Sequence, residues 1–308
     1  MLDGHATNAF WKDQAITTAA TRQVLKARYG QIWTMRKAYN YRMPYFRGGK
    51  VANNIKCPHC HHNASTGHML GECCDKDMKG MYIERHNEAL RLIAAEIQKG
   101  ESGNHMVYLD AGKDEKVQHL ACPNKQIPHE IISNRTLRLH GMNVDERRVL
   151  RPDALIIESN DVHIPATGKR DAQRRHKPAR MVHDNKHKPP IRRCKAYIIE
   201  VGYSAETRYE AKVQEKIKQH EKLTALLEEE GFEVILQPIV LGTTGGIFHS
   251  QNSLLGQLGI VKARQQKLNR KLHRHSIHSM HSIIKSRRLK ESHMQGHRGA
   301  RVKKPPDK

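Results

Sequence analysis

Between Cys57 and Cys73 the chain spaces sulfur and imidazole as C-x2-C-x7-H-x4-C, through Cys57, Cys60, His68 and Cys73. Two thiolates two residues apart form a tight knuckle that holds one edge of a tetrahedron, and a His and a Cys after a short loop close it. That donor set suits Zn²⁺. Gly67 and Gly71 flank His68 and permit the sharp turns required. His59, His61, His62 and Cys74 are competing donors, so the set of four is a choice, and Cys57, Cys60, His68 and Cys73 are preferred. Four protein ligands leave no open position, so the expected zinc is structural, and a knuckle this short folds mainly through its metal.

The surroundings of the knuckle are strongly basic. The 308 residues carry 54 Lys+Arg against 31 Asp+Glu, a net charge of +23. Such a charge points first to a polyanion partner, because Lys and Arg displace condensed counterions from phosphates, with acidic proteins and anionic membranes as the alternatives. The apolar fraction of 37% and aromatic fraction of 5% are low for one compact globule, which predicts that part of the chain is extended or folds on a partner. No apolar run approaches the roughly 20 residues of a membrane span. The start carries no basic-then-apolar signal peptide, so the expectation is an intracellular, reducing compartment in which the six cysteines are ligands or thiols. Cys122 and Cys194 are read as ordinary thiols.

Around the knuckle, Thr17–Tyr41 reads as a basic helix with Val24, Leu25, Tyr29, Ile32 and Trp33 at roughly helical spacing, and Gly48-Gly49 ends that segment. A second helix is predicted over Met81–Lys99, with Ile83, Leu90, Ile93, Ala94 and Ile97 on its apolar side and Gly100 and Gly103 stopping it. Met106–Leu109, Ala154–Ile157, Ala196–Val201 and Phe232–Leu241 read as strands, and Ala205–Glu230 as a helix ending at Gly231. Strand, long helix, strand is the pattern of a crossover unit in a mixed sheet. Residues 158–195, rich in Lys, Arg, His and Pro, read as a solvated insertion. Residues 261–308 carry only Glu291 and Asp307 as acids and are expected to be a disordered basic tail, of which Val261–Ser286 folds as a helix on phosphate.

Two acids stand out. Asp153, in Arg151-Pro152-Asp153, directly precedes one predicted strand, and Glu200 lies near the end of another. Phosphodiester hydrolysis needs a cation such as Mg²⁺ to stabilise charge on phosphate and activate water, and two carboxylates on adjacent strands can hold it. A lysine two residues after the second acid is the usual complement, but Gly202 occupies that place. The following helix can supply it: Val213, Ile217, Leu223 and Leu227 form its apolar stripe, His220 falls inside the stripe, and Lys216 and Gln219 border it. Lys212 is the alternative lysine one turn earlier. Asp110 is a possible further acid at a strand end.

In this order the motifs resemble those of a known family: the C-terminal region of the open reading frame of site-specific non-LTR retrotransposons of the CRE and SLACS type. Lys26-Ala-Arg28-Tyr29-Gly30 through Arg42-Met-Pro-Tyr45 resembles the family's basic linker, and Cys57, Cys60, His68 and Cys73 match its knuckle. Arg85-His86-Asn87 matches the motif that follows. Arg151-Pro152-Asp153 and Glu200 match two acidic positions, Lys216-Ile-Lys-Gln219-His220 resembles a basic motif, and Gln237 through Gly245 resembles the last core strand and its glycine turn. The resemblance covers roughly residues 17 to 260.

It implies an α/β fold of the PD-(D/E)xK restriction-endonuclease-like type, a mixed sheet flanked by helices, with the CCHC zinc knuckle and basic helical extensions N-terminal to it. The implied organisation is a linker at 1–50, the knuckle at 51–80, the nuclease at 81–260 and the tail at 261–308. The implied activity is Mg²⁺-dependent nicking of a chromosomal target whose freed 3′ end primes reverse transcription. Asp153, Glu200, Lys216, Gln219 and His220 would be catalytic, with Mg²⁺ on Asp153 and Glu200, and Arg85, His86 and Arg151 would contact nucleic acid. DNA and the element's RNA are the expected partners, no membrane is involved, and the nucleus is the expected location. Reverse transcriptase is missing or separately encoded, since the chain has no Tyr/Phe-Ala-Asp-Asp run. The rival expectations are a catalytically inactive remnant that binds nucleic acid through zinc, and a basic scaffold for an acidic protein.

Overall fold

The computed structural model describes residues 1–45, 49–99, 105–109, 122–123, 127, 131–158 and 194–300. Asp110, nearly all of the predicted insertion at 158–195, and the last eight residues lie outside the described set. Two compact units result. The first gathers Met1–Glu101, Val201–Lys216 and Pro238–Lys308, and the second Ser102–Glu200 and Ile217–Gln237. These boundaries differ from the linker–knuckle–nuclease–tail order expected from sequence, because the knuckle has no core of its own and shares one with the helices at both ends of the chain.

The first unit opens with a single helical turn, α1 (Gly4–Thr7), followed by α2 (Thr18–Arg28) and α3 (Met35–Asn40). One helix was expected from Thr17 to Tyr41. The chain breaks at Gly30, whose φ of 61° lies in the left-handed region that glycine reaches at little cost. Thr17 and Thr34 cap the two resulting helices by accepting from the N–H groups of Ala20 and Lys37. Next, α4 (Lys76–Gln98) starts at an Asp75 cap, and its Leu90, Ile93, Ala94 and Ile97 are buried as expected, whereas Ile83 faces out.

The C-terminal segment is a single helix, α8 (Lys262–Ala300), after the short α7 (Ser250–Gln257). Disorder was expected there; the helix instead buries Leu268, Leu272, Ile277, Met280, Ile283 and Ile284. Those residues recur at helical spacing; Ile277, Met280 and Ile284 join Phe10, Val24, Ile32 and Met69 in one apolar cluster, and Ile283 packs with Cys57 and Cys73 in another. Its inward cations meet acids: Arg264 and Lys271 on Glu96, and Lys290 on Asp75 and Asp77.

The remaining elements form a sheet and its crossover. Strands β1 (His105–Leu109), β2 (Cys122–Pro123), β3 (Ala154–Glu158), β4 (Lys195–Ser204) and β5 (Glu233–Gly242) form a mixed sheet of order β2-β1-β3-β4-β5. β1 and β3 pair antiparallel, as do β3 and β4 with Ala154 opposite Ile199. β5 runs parallel to β4: Glu233 N–H donates to Cys194 near their starts and Thr243 N–H to Ser204 near their ends. Parallel neighbours need a crossover, which α6 (Tyr209–Glu229) provides. The short α5 (Asn134–Leu139) is capped by Ser133, and Glu230 accepts from Ser133 N–H at 2.6 Å. Leu155, Ile157 and Ile198 from the sheet pack with Leu223, Leu226 and Leu227 of α6 in the core of the second unit.

Candidate functional site

The knuckle brings the preferred ligand set together. Ligand atoms of Cys57, Cys60, His68 and Cys73 all lie within 4.8 Å of one another. The Cys57–Cys73 and Cys60–Cys73 sulfurs are 3.9 and 3.6 Å apart, and Cys60 Sγ is 3.2 Å from His68 Nε2. Sulfurs on a tetrahedral Zn²⁺ with bonds of about 2.3 Å would sit about 3.8 Å apart, so the donors fit that ion. Of the competitors, His59 turns away to Glu291, at 3.2 Å. Cys60, His62 and Cys74 form a second, more exposed trio that shares Cys60.

Thiols this close cannot all ionise without a cation between them. Burial pushes the Cys73 thiol up to about 12, reinforced by the neighbouring Cys57 sulfur. At Cys60 burial also acts upward, but hydrogen bonds from the His62 backbone and ring bring it down to about 5. A positive charge already stands beside the set. Arg287 of α8, 0% exposed, donates from Nη2 to Cys57 Sγ at 3.0 Å and from Nε to Glu291 Oε1 at 3.0 Å. Tyr45 OH donates to the same carboxylate at 2.6 Å.

The acidic pair lies in the second unit. Pairing of Ala154 with Ile199, carried one step further, places Asp153 across from Glu200. Accordingly, Asp153 N–H donates to Glu200 Oε2 at 3.2 Å, although the residues are 47 apart in sequence. His220 Nε2 reaches the same oxygen at 2.9 Å. Glu200 and His220 are 3% and 4% exposed, which explains the imidazole inside the apolar stripe of α6: its polar edge has a carboxylate to meet. Asp153 is half-buried, Lys216 half-buried and Gln219 exposed. Among the described residues, only the two Cys/His groups assemble three or more ligand atoms at mutual 4.8 Å.

On β4 in the first unit, a Cβ added at Gly202 would stand 3.8 Å from Cγ and Cε of Lys212. The stem of Lys212 therefore covers the position where the usual lysine would stand, and its Nζ pairs with Glu215 at 2.6 Å. Lys216 lies one helical turn from both Lys212 and His220 on α6.

Of the Arg-His-Asn motif, Arg85 is turned inward rather than presented to solvent. Arg85 is 4% exposed, donates to the Leu70 carbonyl at 2.8 Å, and stacks 4.1 Å from the Tyr203 ring. It locks the knuckle's last turn to the first unit's core. His86 is half-buried with Nδ1 3.2 Å from Asn87 Oδ1, while Arg151 is exposed. Arg287 was not foreseen from sequence; its only signal was a cation spaced one turn from Glu291.

No family model matches the sequence, and no curated protein does. Among the described residues, no helix is long and apolar enough to cross a membrane.

Proposed function

We propose that this chain is a Mg²⁺-dependent DNA endonuclease of the restriction-like type, from a site-specific non-LTR retrotransposon, with a structural zinc knuckle. The observation that carries the reading is that Asp153, directly ahead of β3, stands across from Glu200 of β4 despite their separation in sequence, its backbone N–H on the Glu200 carboxylate. The antiparallel β1-β3-β4 meander, followed by a crossover to β5, supports the PD-(D/E)xK assignment.

In this reading Asp153 and Glu200 would hold the cation, which would supply charge withdrawal from phosphate and a lowered pKa for a water. His220 orients Glu200 through the 2.9 Å contact. Lys216, or Lys212 one turn earlier, places an ammonium toward the water or the phosphate, and Gln219 adds a polar contact. Water attacks phosphorus and the bond to the 3′ oxygen breaks, leaving the 3′ hydroxyl that primes reverse transcription. Arg151 and the outer cations of α8 supply phosphate contacts, which give affinity and salt dependence without reading sequence. Chromosomal DNA, and the element's RNA, are the partners, in the nucleus. The test is Mg²⁺-dependent nicking of supercoiled plasmid by zinc-loaded protein, with EDTA-treated substrate mixtures as the blank.

One observation favours a second reading, a zinc-dependent nucleic-acid binder without catalysis. Glu200 Oε2 is already engaged by Asp153 N–H and His220, as a purely structural carboxylate would be. Salt-sensitive DNA binding without nicking is the outcome that reading expects.

A further inference from the structure

An aromatic side chain in the first unit is spent on solvent. The 3-10 turn Ala9–Trp11 turns Phe10 into the core at 3% exposure and leaves the adjacent Trp11 62% exposed. The core has no need of Trp11, because Phe10 already fills the cluster with Ile16, Val24 and Ile277. Yet Trp11 is held rather than loose, its ring 4.7 Å from that of Phe10. The helical turn α1 just ahead of it is fixed by Asp3 N–H on the Ile247 carbonyl at 2.7 Å and by Arg28 on the Thr7 carbonyl at 2.8 Å, and Arg28 Nη1 also donates to Asn8 Oδ1, at the start of the 3-10 turn, at 3.1 Å.

Beside Trp11 opens a cavity of about 770 Å³, lined also by His5, Lys12, Asp13, Arg270 and Arg274. That volume lies in the range of small-ligand sites. Its charges are sorted. Arg274 is committed to Asp13 through two contacts of 2.8 and 2.9 Å, which neutralise each other. Lys12 and Arg270 have no acidic partner among the described residues. A rigid exposed indole, a pocket of nucleotide size and two uncommitted cations at its edge are what an unpaired nucleotide requires. The base needs a π-face to stack on and the phosphate needs a cation. A duplex, whose bases are already stacked, gains nothing from Trp11.

We infer that this cavity binds an unpaired base of single-stranded nucleic acid, stacked on Trp11 with its phosphate on Lys12 and Arg270. The inference rests on the nucleic-acid reading above and adds to it a site for a strand that is not in duplex.

The experiment measures anisotropy of labelled oligo-dT, oligo-U and a duplex of equal length with zinc-loaded full-length protein. Wild type is compared with Trp11→Ala, Trp11→Phe and Arg270→Gln, and zinc content and melting serve as fold controls. Trp11→Ala should weaken single-strand binding about five- to a hundredfold, with duplex binding unchanged. Trp11→Phe should retain part of the affinity, and wild-type tryptophan emission should quench on the single strand but not in Trp11→Phe. Stronger retention of oligo-dT would assign the displaced DNA strand, and of oligo-U the RNA. Equal single-strand binding by Trp11→Ala and wild type, or equal loss on the duplex, overturns the site while leaving the nuclease reading standing. Absence of binding to all three probes overturns both.

Discussion

Arg287 donates to the sulfur of Cys57 at 3.0 Å, across 230 residues of sequence and with no exposure to solvent. Three thiolates and one imidazole on a bound Zn²⁺ would leave one net negative charge, and Arg287 is the cation buried beside that ligand set. The C-terminal helix is thereby fastened to the knuckle. Arg287→Ala removes both the countercharge and the partner of Glu291, breaking a buried pair that is typically worth about 3–5 kcal/mol. It should also weaken zinc about 10- to 100-fold, as loss of a group supporting a metal ligand generally does. Zinc competition against a chromophoric chelator and thermal melting check the two effects.

Zinc removal should propagate beyond the knuckle. Ile283 of α8 packs in the same cluster as Cys57, Cys73 and Met78, so a zinc ion held by the cysteines would organise both. Chelation, or Cys73→Ser, should raise amide exchange over residues 283–291 of α8 while leaving β3 and the second half of α6 protected. Uniform exchange throughout would show that α8 does not depend on the knuckle.

Gly245 closes the turn after β5 with φ of 87°, and its carbonyl accepts from His273 Nδ1 at 2.6 Å. A Cβ there would lie 2.9 Å from Ile277 Cγ1 and 3.0 Å from His273 Nδ1. Gly245→Ala therefore combines left-handed strain with a clash against α8, and should cost about 1–3 kcal/mol in denaturant unfolding.

The histidines of α8 make stability fall with acid. Burial pushes His273 below its ordinary value of 6.5, outweighing the bond to Gly245, and burial likewise lowers His275 despite its bond to the Arg85 carbonyl. Below about 6.5 the unfolded chain takes up protons that these folded rings refuse. The stability present above that pH is then lost progressively, by up to about 1.4 kcal/mol per pH unit for each ring, until the lower folded values are passed. Melting in excess zinc from pH 7.5 to 5.5 should show this slope, and His273→Asn, which keeps a donor for Gly245, should flatten it.

Much of the sheet and its crossover helix was legible in the sequence because the apolar runs are uninterrupted. β3, β4, α6 and β5 fall within a few residues of expectation, and the 47-residue gap did not stop Asp153 from meeting Glu200. The first unit was harder to read. The apolar positions of α8 are diluted by cations, so composition suggested disorder where spacing encoded a buried stripe. Arg85 and Arg287 are buried arginines whose partners, Tyr203 and Cys57, lie far along the chain. Local sequence shows such residues as surface charges, and only the tertiary contact identifies them.

The central claim is tested most directly by nicking of supercoiled plasmid in Mg²⁺, comparing wild type with Asp153→Ala and Glu200→Ala, each verified as folded and zinc-loaded. The account predicts that wild type converts supercoiled to open-circular DNA and that both variants lose at least about a hundredfold in rate, the scale of removing a group that positions the catalytic metal. Nicking that survives both substitutions, or its absence from folded wild-type protein that binds DNA, would contradict it.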